Sequence, residues 1–422
     1  MRNTTILAIL CLLGSYFARA RTVTVCPTCS FSGIKQAVAA AQAGDVVLVK
    51  KGTYREYNIE LNKPLTLKGE GYPIIDGQNQ GEVLSITAGG VVVEGLDIRN
   101  VGTSYIEDRA GIRVKKARGF TIRNNRLNNT FFGIYLEKSA DGTVSGNHVS
   151  GEAVQEMSSG NAIHMWYCKN VLVEHNYLRG HRDGIYLEFV DSSRIRLNIS
   201  EDNIRYGLHF MFSNDDDYFH NTFRRNGAGV AVMFSRRINM WENTFEHNWG
   251  RASYGLLLKE IYDAEIRDNT FRENTIGIYV EGSTRLQYRN NEFSRNGWAI
   301  KMSGGCLDNV VANNNFRYNT FDLALNSAAN NNRFDGNYWS NYTGYDLGRD
   351  GRGDVPYHPV KLFNYVVNRT PEAMVLLRSL FVGLLNFSEK VSPVFTPANV
   401  ADNSPLMRPI TFNRTVQPKN RN

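Results

Sequence analysis

Past its first twenty residues this 422-residue chain has no apolar run of the roughly 18 residues that a bilayer-crossing helix needs. Nor does it have charge runs: 48 Lys and Arg stand against 41 Asp and Glu, a formal +7 spread over the whole length. A mildly basic balance without a basic stripe argues against a nucleic-acid partner. Cysteine is scarce too, with five in all, so the fold has to be held by its core. The length would permit two or three domains, yet one repeated frame runs through most of it, which predicts a single elongated body.

That frame is clearest from Gly207 to Phe245, where Gly207 precedes Asn221 by fourteen positions and Gly229 precedes Asn243 by the same distance. The offset recurs from Gly111 to Asn125, Gly133 to Asn147, Ala162 to Asn176, Gly184 to Asn198, Gly255 to Asn269, Gly277 to Asn291 and Leu323 to Asn337. Only the copy that begins at Ala299 slips by one residue, to Asn314. Successive frames start about 22–23 residues apart, with two longer steps, and a fixed period of this size marks a solenoid. Inside each copy apolar residues alternate, as in Gly277-Ile-Tyr-Val-Glu281, so every second side chain turns inward along a strand. A coil of this length cannot bury its apolar face alone, so the coils must stack. The sequence therefore predicts a right-handed parallel β-helix of about ten or more coils. Asn at one register fits either a left-handed turn that bonds locally or a ladder of amides stacked from coil to coil.

The ends read differently. Arg2, the apolar run Ile6–Leu13 and the small-x-small site Ala18-Arg-Ala20 form a secretory leader over residues 1–20, and Cys11 lacks the preceding small residue of a lipoprotein site. The expectation is an exported, soluble protein with a net charge of +5 after cleavage. Residues 21–110 read as an amino-terminal cap and first coils, with a short helix from Gly33 to Ala43 covering the open edge. Regular repeats follow over 111–345, and an Asp/Gly turn segment over 346–360. A helical stretch begins at Pro371, within a carboxy-terminal segment of 361–422. That stretch is apolar almost all round, which calls for burial against the solenoid end or a partner. Beyond Pro393 the Pro- and Asn-rich tail is read as having no fold of its own. Cys26-Pro-Thr-Cys29 fits a disulfide at the amino-terminal edge, a redox pair or half a metal site, whereas Cys168 and Cys306 read as packing residues.

The same register places the residues that could carry chemistry. Polysaccharide enzymes built on β-helices need converging acids and bases. Asp215-Asp-Asp217 and His181-Arg-Asp183 are the candidates, but the Asp-Pro-His and Gly-His-Gly signatures of such enzymes are missing. Counting from the frame start, offsets +1 and +3 face inward and +2 and +4 outward. Met165, Met240 and Met302 then fall in the core, while Met211 and Met233 sit outward on consecutive coils with His209 beside them. Thioether with imidazole suits Cu(I), so His209, Met211 and Met233 are the candidate metal ligands. His164, Trp166, Tyr186 and Glu188 share those outward columns, and Tyr167, Phe189, Phe212 and Phe234 form an aromatic file next to them. A local apolar patch on a polar flank marks a docking face or, alternatively, aromatics packing across strands. Asp346, Asp350 and Asp354 lack the spacing and closing Glu of a calcium loop, which favours a tight turn.

Several segments carry a resemblance: Gly336-Asn-Tyr-Trp-Ser-Asn-Tyr-Thr-Gly-Tyr-Asp346, Asp350-Gly-Arg-Gly-Asp-Val-Pro-Tyr357, Pro371-Glu-Ala-Met-Val-Leu-Leu-Arg-Ser379 and Asp402-Asn-Ser-Pro-Leu-Met-Arg-Pro409. With the repeat, they make the chain similar to the NosD family. The resemblance implies a non-enzymatic periplasmic protein docked on an ABC permease and its ATPase. It also implies copper, or copper and sulfur, for the assembly of nitrous oxide reductase, the copper handed over by a lipoprotein chaperone. The carboxy-terminal segment, with Pro405, Leu406 and Met407, and not the solenoid barrel, is expected to anchor the protein to its membrane partner; His164, Trp166, Phe189, Phe212 and Phe234 are expected as further docking residues. A truncation after Val360 is accordingly expected to leave a folded solenoid. The competing reading is a polysaccharide-active enzyme or carbohydrate-binding protein on the same scaffold.

Overall fold

The computed structural model describes residues 21–412, apart from Tyr105, Arg251, 327–330 and 392–399. The proposed leader, residues 1–20, lies outside the described residues. Three parallel sheets run the length of the chain, of fourteen, twelve and thirteen strands, and wind into a right-handed β-helix of about fourteen turns. The first sheet runs from Thr22–Val25 to Arg333–Asp335, the second from Ile59–Leu61 to Phe321–Leu325 and the third from Thr53–Tyr54 to Tyr338–Trp339. A short helix, α1 (Ile34–Ala40), packs Ile34, Ala37 and Val38 into the core at the amino-terminal end.

The inward columns fill the interior in register. Met165, Met240 and Met302 are buried there, as the alternation predicts. Phe223, Phe245, Phe271, Phe293, Phe316 and Trp339 stack one per coil, with ring centroids 4.1–5.6 Å apart. Each aromatic pair adds about 1 kcal/mol beyond its burial.

The frame asparagines settle between the two turn readings. The left-handed residue of the turn is the one before the Asn, such as His220 (φ 55°) or Glu242 (φ 52°), and the Asn itself bonds across coils. Asn221 Nδ2 donates to Asn243 Oδ1 at 3.0 Å, which also accepts from the Asn221 amide at 3.0 Å. The same pairing passes unbroken from Asn125 to Asn337. A second ladder joins Asn203, Asn226, Asn248, Asn274, Asn296 and Asn319. Its sequence signal, an Asn five places after the frame Asn, is visible in hindsight at 198/203, 221/226 and 243/248.

The carboxy-terminal end departs from expectation in two ways. The tail is not without structure. Asp402 is fully buried, and its carboxylate takes the place of the next asparagine in the first ladder. It accepts bonds from the Gly336 and Asn337 amides, Asn337 Nδ2, Trp339 Nε1 and the Ser404 amide at 2.9–3.1 Å. Pro405, Leu406 and Met407 likewise bond the protein's own last coil: Leu406 N donates to Asn337 O, Met407 N to Gly351 O, and Gly353 N to Pro405 O. An open coil edge exposes unpaired amides, and this tail satisfies them. The helical part also differs, forming α2 (Leu362–Arg369), a 3₁₀ stretch at Pro371–Leu376 and α3 (Leu380–Val391). Phe363, Val367 and Val382 cluster with Trp298, Phe321 and Ala324 on the last strands of the second sheet. The outer side of α3 stays exposed. Both ends of this helical excursion are pinned together, because Tyr357 and Asp402 exchange two backbone bonds of 2.9 Å.

Asp216 offers a stability test. It points inward and is fully buried; Oδ1 accepts the Ser193 amide at 2.7 Å, while Oδ2 has no partner. Burial, reinforced by nearby Asp191, Asp215 and Asp217, pushes its carboxyl well above the usual range. A carboxyl whose folded pKa is raised keeps its proton in the fold, so its stability contribution is full below the unfolded value of 3.8 and is lost as pH rises. Asp216→Asn should therefore raise stability at pH 7 by about 1–2 kcal/mol and give no gain near pH 3.5. Chemical denaturation at the two pH values checks this.

Candidate functional site

The outward face of the second sheet carries the densest polar and aromatic cluster. Its central column runs Arg113, Tyr135, His164, Tyr186, His209, each the strand partner of the next. Tyr135 and His164 lie 4.5 Å apart by ring centroids, His164 and Tyr186 4.8 Å, and Tyr186 and His209 4.9 Å. The offset expected to face solvent is instead closed over. His209 is only 4% exposed and His164 9%. Phe132, from the strand of the preceding coil, packs on His164, and Tyr206, three residues earlier on the same strand, packs on His209, which completes the cover.

Polar groups fix both rings. Asn161 Nδ2 sits 2.9 Å from His164 Nδ1. His209 Nδ1 faces a buried ion pair: Asp183 Oδ2 is 3.9 Å away and Arg205 Nη2 3.4 Å. Arg205 grips Asp183 through both carboxylate oxygens, at 2.9 and 2.5 Å. Burial raises the Asp183 pKa, but hydrogen bonds from His209 and Arg205 outweigh it and hold the carboxylate below its usual range. Burial lowers His209, and takes His164 down to about 3, so both imidazoles are neutral at neutral pH. At these distances the guanidinium, which only donates, is the Nδ1 partner and places the lone pair of the neutral ring on Nδ1; Nε2 gains a lone pair in the other tautomer, whose Nδ1–H turns to Asp183 as in metal-ligating histidines. His209 Nε2 is buried and has no hydrogen-bond partner.

Met211 follows two residues along the same strand, on the same face and about 7 Å further on. Its strand partner in the next coil is Met233, and both are half-buried. The structure thus brings Met211 and Met233 side by side, with the orphan nitrogen of His209 in the adjoining column. Sequence reasoning missed Arg205, which sits two places before the frame start, where the repeat carries no fixed residue type. No cluster of three His, Cys, Asp or Glu suited to a metal occurs among the described residues, so any site here has to use thioether.

The aromatic file lies next to these methionines. Tyr167, Phe189, Phe212 and Phe234 stack at 4.6, 5.3 and 5.2 Å with planes within 19°. All four adopt left-handed backbone, φ 51–54°, at a turn position where later coils carry Gly282 and Gly304. Such backbone costs an L-residue about 1 kcal/mol, and the stacking offsets it. Because the rings cover one another's faces, the file presents ring edges to solvent. Trp166 packs edge-on against Tyr167, and Lys138 lies over its ring.

The candidate acids and bases do not converge. Asp215 pairs with Arg237 on the surface, Asp216 points into the core and Asp217 accepts from Asn239. His181 bonds the Arg179 carbonyl and the Thr130 hydroxyl, and burial lowers it to about 4, too weak a base for proton abstraction near neutrality. At the Asp/Gly turn, Asp346 accepts the amides of Asp350 and Gly351, and Asp354 that of Leu347, so the carboxylates close the turn itself.

Residues 43–159 and 145–344 match the family model described as "Periplasmic copper-binding protein (NosD)". The chain belongs to the NosD family. It is 31% identical over 368 residues to a Pseudomonas aeruginosa protein named "Probable ABC transporter binding protein NosD", covering 83% of this chain and 86% of that one. The Stutzerimonas stutzeri protein of the same name is 30% identical over 395 residues, 85% of each chain. Among solved structures, a hyperthermoactive exopolygalacturonase from Thermotoga maritima superposes with a TM-score of 0.51 at 10% identity, over 76% of this chain and 91% of that one. That likeness shows the β-helix fold alone. No described helix of this NosD-family chain is long and apolar enough to cross a membrane.

Proposed function

We propose that this NosD-family chain is a non-enzymatic periplasmic factor that docks on an ABC transporter and carries copper, or copper with sulfur, toward the assembly of nitrous oxide reductase. Copper is cargo in this reading. The observation that carries it is the buried, neutral His209, whose Nε2 has no partner, two residues along one strand from Met211, itself the strand partner of Met233. Neutral imidazole and thioether ligands suit a soft monovalent ion, and three ligands with an open position permit hand-over from a lipoprotein chaperone. The Asp183–Arg205 pair holds the ring in place. The aromatic file and the exposed side of α3 are the proposed contacts for partners, among them the permease and ATPase of the transporter. Stacked rings that hide their faces leave little for a sugar to stack on, which weighs against the carbohydrate-binding alternative.

The test is Cu(I) competition against a chromophoric chelator. Met211→Leu/Met233→Leu should bind at least ~10-fold more weakly than the unsubstituted protein, because two of three soft donors are gone. His209→Phe should weaken binding similarly while keeping the ring stack. Equal affinity in all three would reduce this face to surface packing.

A further inference from the structure

The Cys26–Cys29 disulfide stands apart from everything described so far. It joins residues three positions apart, with Cα atoms 5.0 Å apart, in the turn that follows the first strand. That turn is already closed by backbone bonds. Cys26 N donates to Phe31 O and Cys29 N to Cys26 O, both at 3.1 Å, and Val25 and Phe31 form a parallel bridge. Lys50 N, from the next coil, donates to Val25 O at 3.0 Å. The crosslink therefore ties no distant segments together, and so short a loop removes little entropy from the unfolded chain. Holding the amino-terminal edge does not explain it.

Its surroundings suit exchange. Both cysteines are half-buried, and Pro27 and Thr28 between them are exposed, so a partner can reach the sulfurs. The Thr28 hydroxyl lies 3.5 Å from Cys26 Sγ, and since a disulfide sulfur carries no hydrogen, the hydroxyl is the donor. On reduction the same donor favours the thiolate form of Cys26. The other two cysteines contrast with this pair. Cys168 and Cys306 are buried, their thiols lie against backbone carbonyls, and burial raises both, Cys168 to about 11.

We propose that Cys26 and Cys29 form an exchangeable disulfide whose reduced state is a two-thiolate site for a soft monovalent metal ion, at the opposite end of the solenoid from the carboxy-terminal helices. This rests on the reading of copper as cargo but uses none of the residues of the His209 site. Reduction takes two electrons and two protons from a dithiol of the exported thioredoxin-like class, which itself becomes a disulfide. Binding Cu(I) then displaces the two thiol protons into solvent. Paired thiolates are among the softest ligands a protein offers, and a turn held by its own backbone bonds keeps them adjacent after the sulfur–sulfur bond opens. Thiol–disulfide exchange with a disulfide of the same exported thioredoxin-like class, which takes up the two electrons and becomes the dithiol, would re-form the Cys26–Cys29 bond and release the ion, so the redox state of the turn gates occupancy.

The experiment uses the full mature protein, oxidised or reduced by a dithiol that is then removed, titrated anaerobically with Cu(I) against a chelator. The reduced protein should take up about one further equivalent relative to the oxidised protein. Cys26→Ser/Cys29→Ser should take up the same amount after either treatment and melt within ~3 °C of wild type. The thiol-dependent equivalent should persist in Met211→Leu/Met233→Leu, which separates failure of this site from failure of the His209 site. Equal uptake in both redox states, a further equivalent that survives in the serine variant, resistance of the folded protein's disulfide to the dithiol, or a large fall in melting temperature of the serine variant would each overturn the proposal.

Discussion

Replacing Asp402 by Ala should fray the carboxy-terminal coils, at a cost of about 3–5 kcal/mol. The carboxylate is the last rung of an asparagine ladder that runs from Asn125. Four donors of the final coil converge on it: the Gly336 and Asn337 amides, Asn337 Nδ2 and Trp339 Nε1. Alanine leaves the two amides and the indole N–H without an acceptor and Asn337 Nδ2 with Val311 O alone, and each orphaned group costs about 1–3 kcal/mol before the site relaxes. Asp402→Asn keeps one carbonyl oxygen and should cost less than half as much. A solenoid is close to one-dimensional, with each coil stabilised by its neighbours, so the loss should stay local. Hydrogen exchange should quicken in the strands Arg333–Asp335 and Tyr338–Trp339 and leave the middle coils protected. Uniform protection throughout the Asp402→Ala protein would show that the tail is an ornament and the last coil closes itself.

The second large effect concerns the transporter. Val375, Leu380, Phe381, Leu384 and Phe387 project from the helical excursion, with Leu380 80% and Phe387 67% exposed. Val382, on the other side of α3, is buried against the solenoid cluster. An exposed apolar surface of this extent marks an interaction site. Changing Leu380, Phe381, Leu384 and Phe387 to Ser removes the outward side while keeping the Val382 anchor. Co-purification with the permease from detergent-solubilised membranes should fall at least ~10-fold, and thermal stability should stay within ~3 °C. Retained association would place the contact elsewhere, with the aromatic file the next surface to test. A truncation after Val360 deletes Asp402 together with the helices, so it should fray the last coil as Asp402→Ala does and would not isolate the contribution of α3.

What the sequence determined by itself follows from periodicity. A 22–23-residue frame with alternating apolar residues dictates stacked coils, and the offset from the frame start sorted Met165, Met240 and Met302 inward and placed Met211 beside Met233. Each of these depends only on the strand period of two and on neighbouring coils sharing a register, both of which are written in the chain. The tertiary structure decided what depends on contacts between registers or from far along the chain. Offset +2 was expected in solvent, but rings from adjoining columns and coils close over His164 and His209, and no single-coil pattern encodes that cover. Arg205 orients the His209 ring from a position where the repeat has no preference. The Pro-rich tail looked unstructured because its composition cannot build a core. Residues 400–412 of it pack on the last coil because the open end of the ladder supplies donors that an acceptor such as Asp402, some 65 residues beyond Asn337, satisfies.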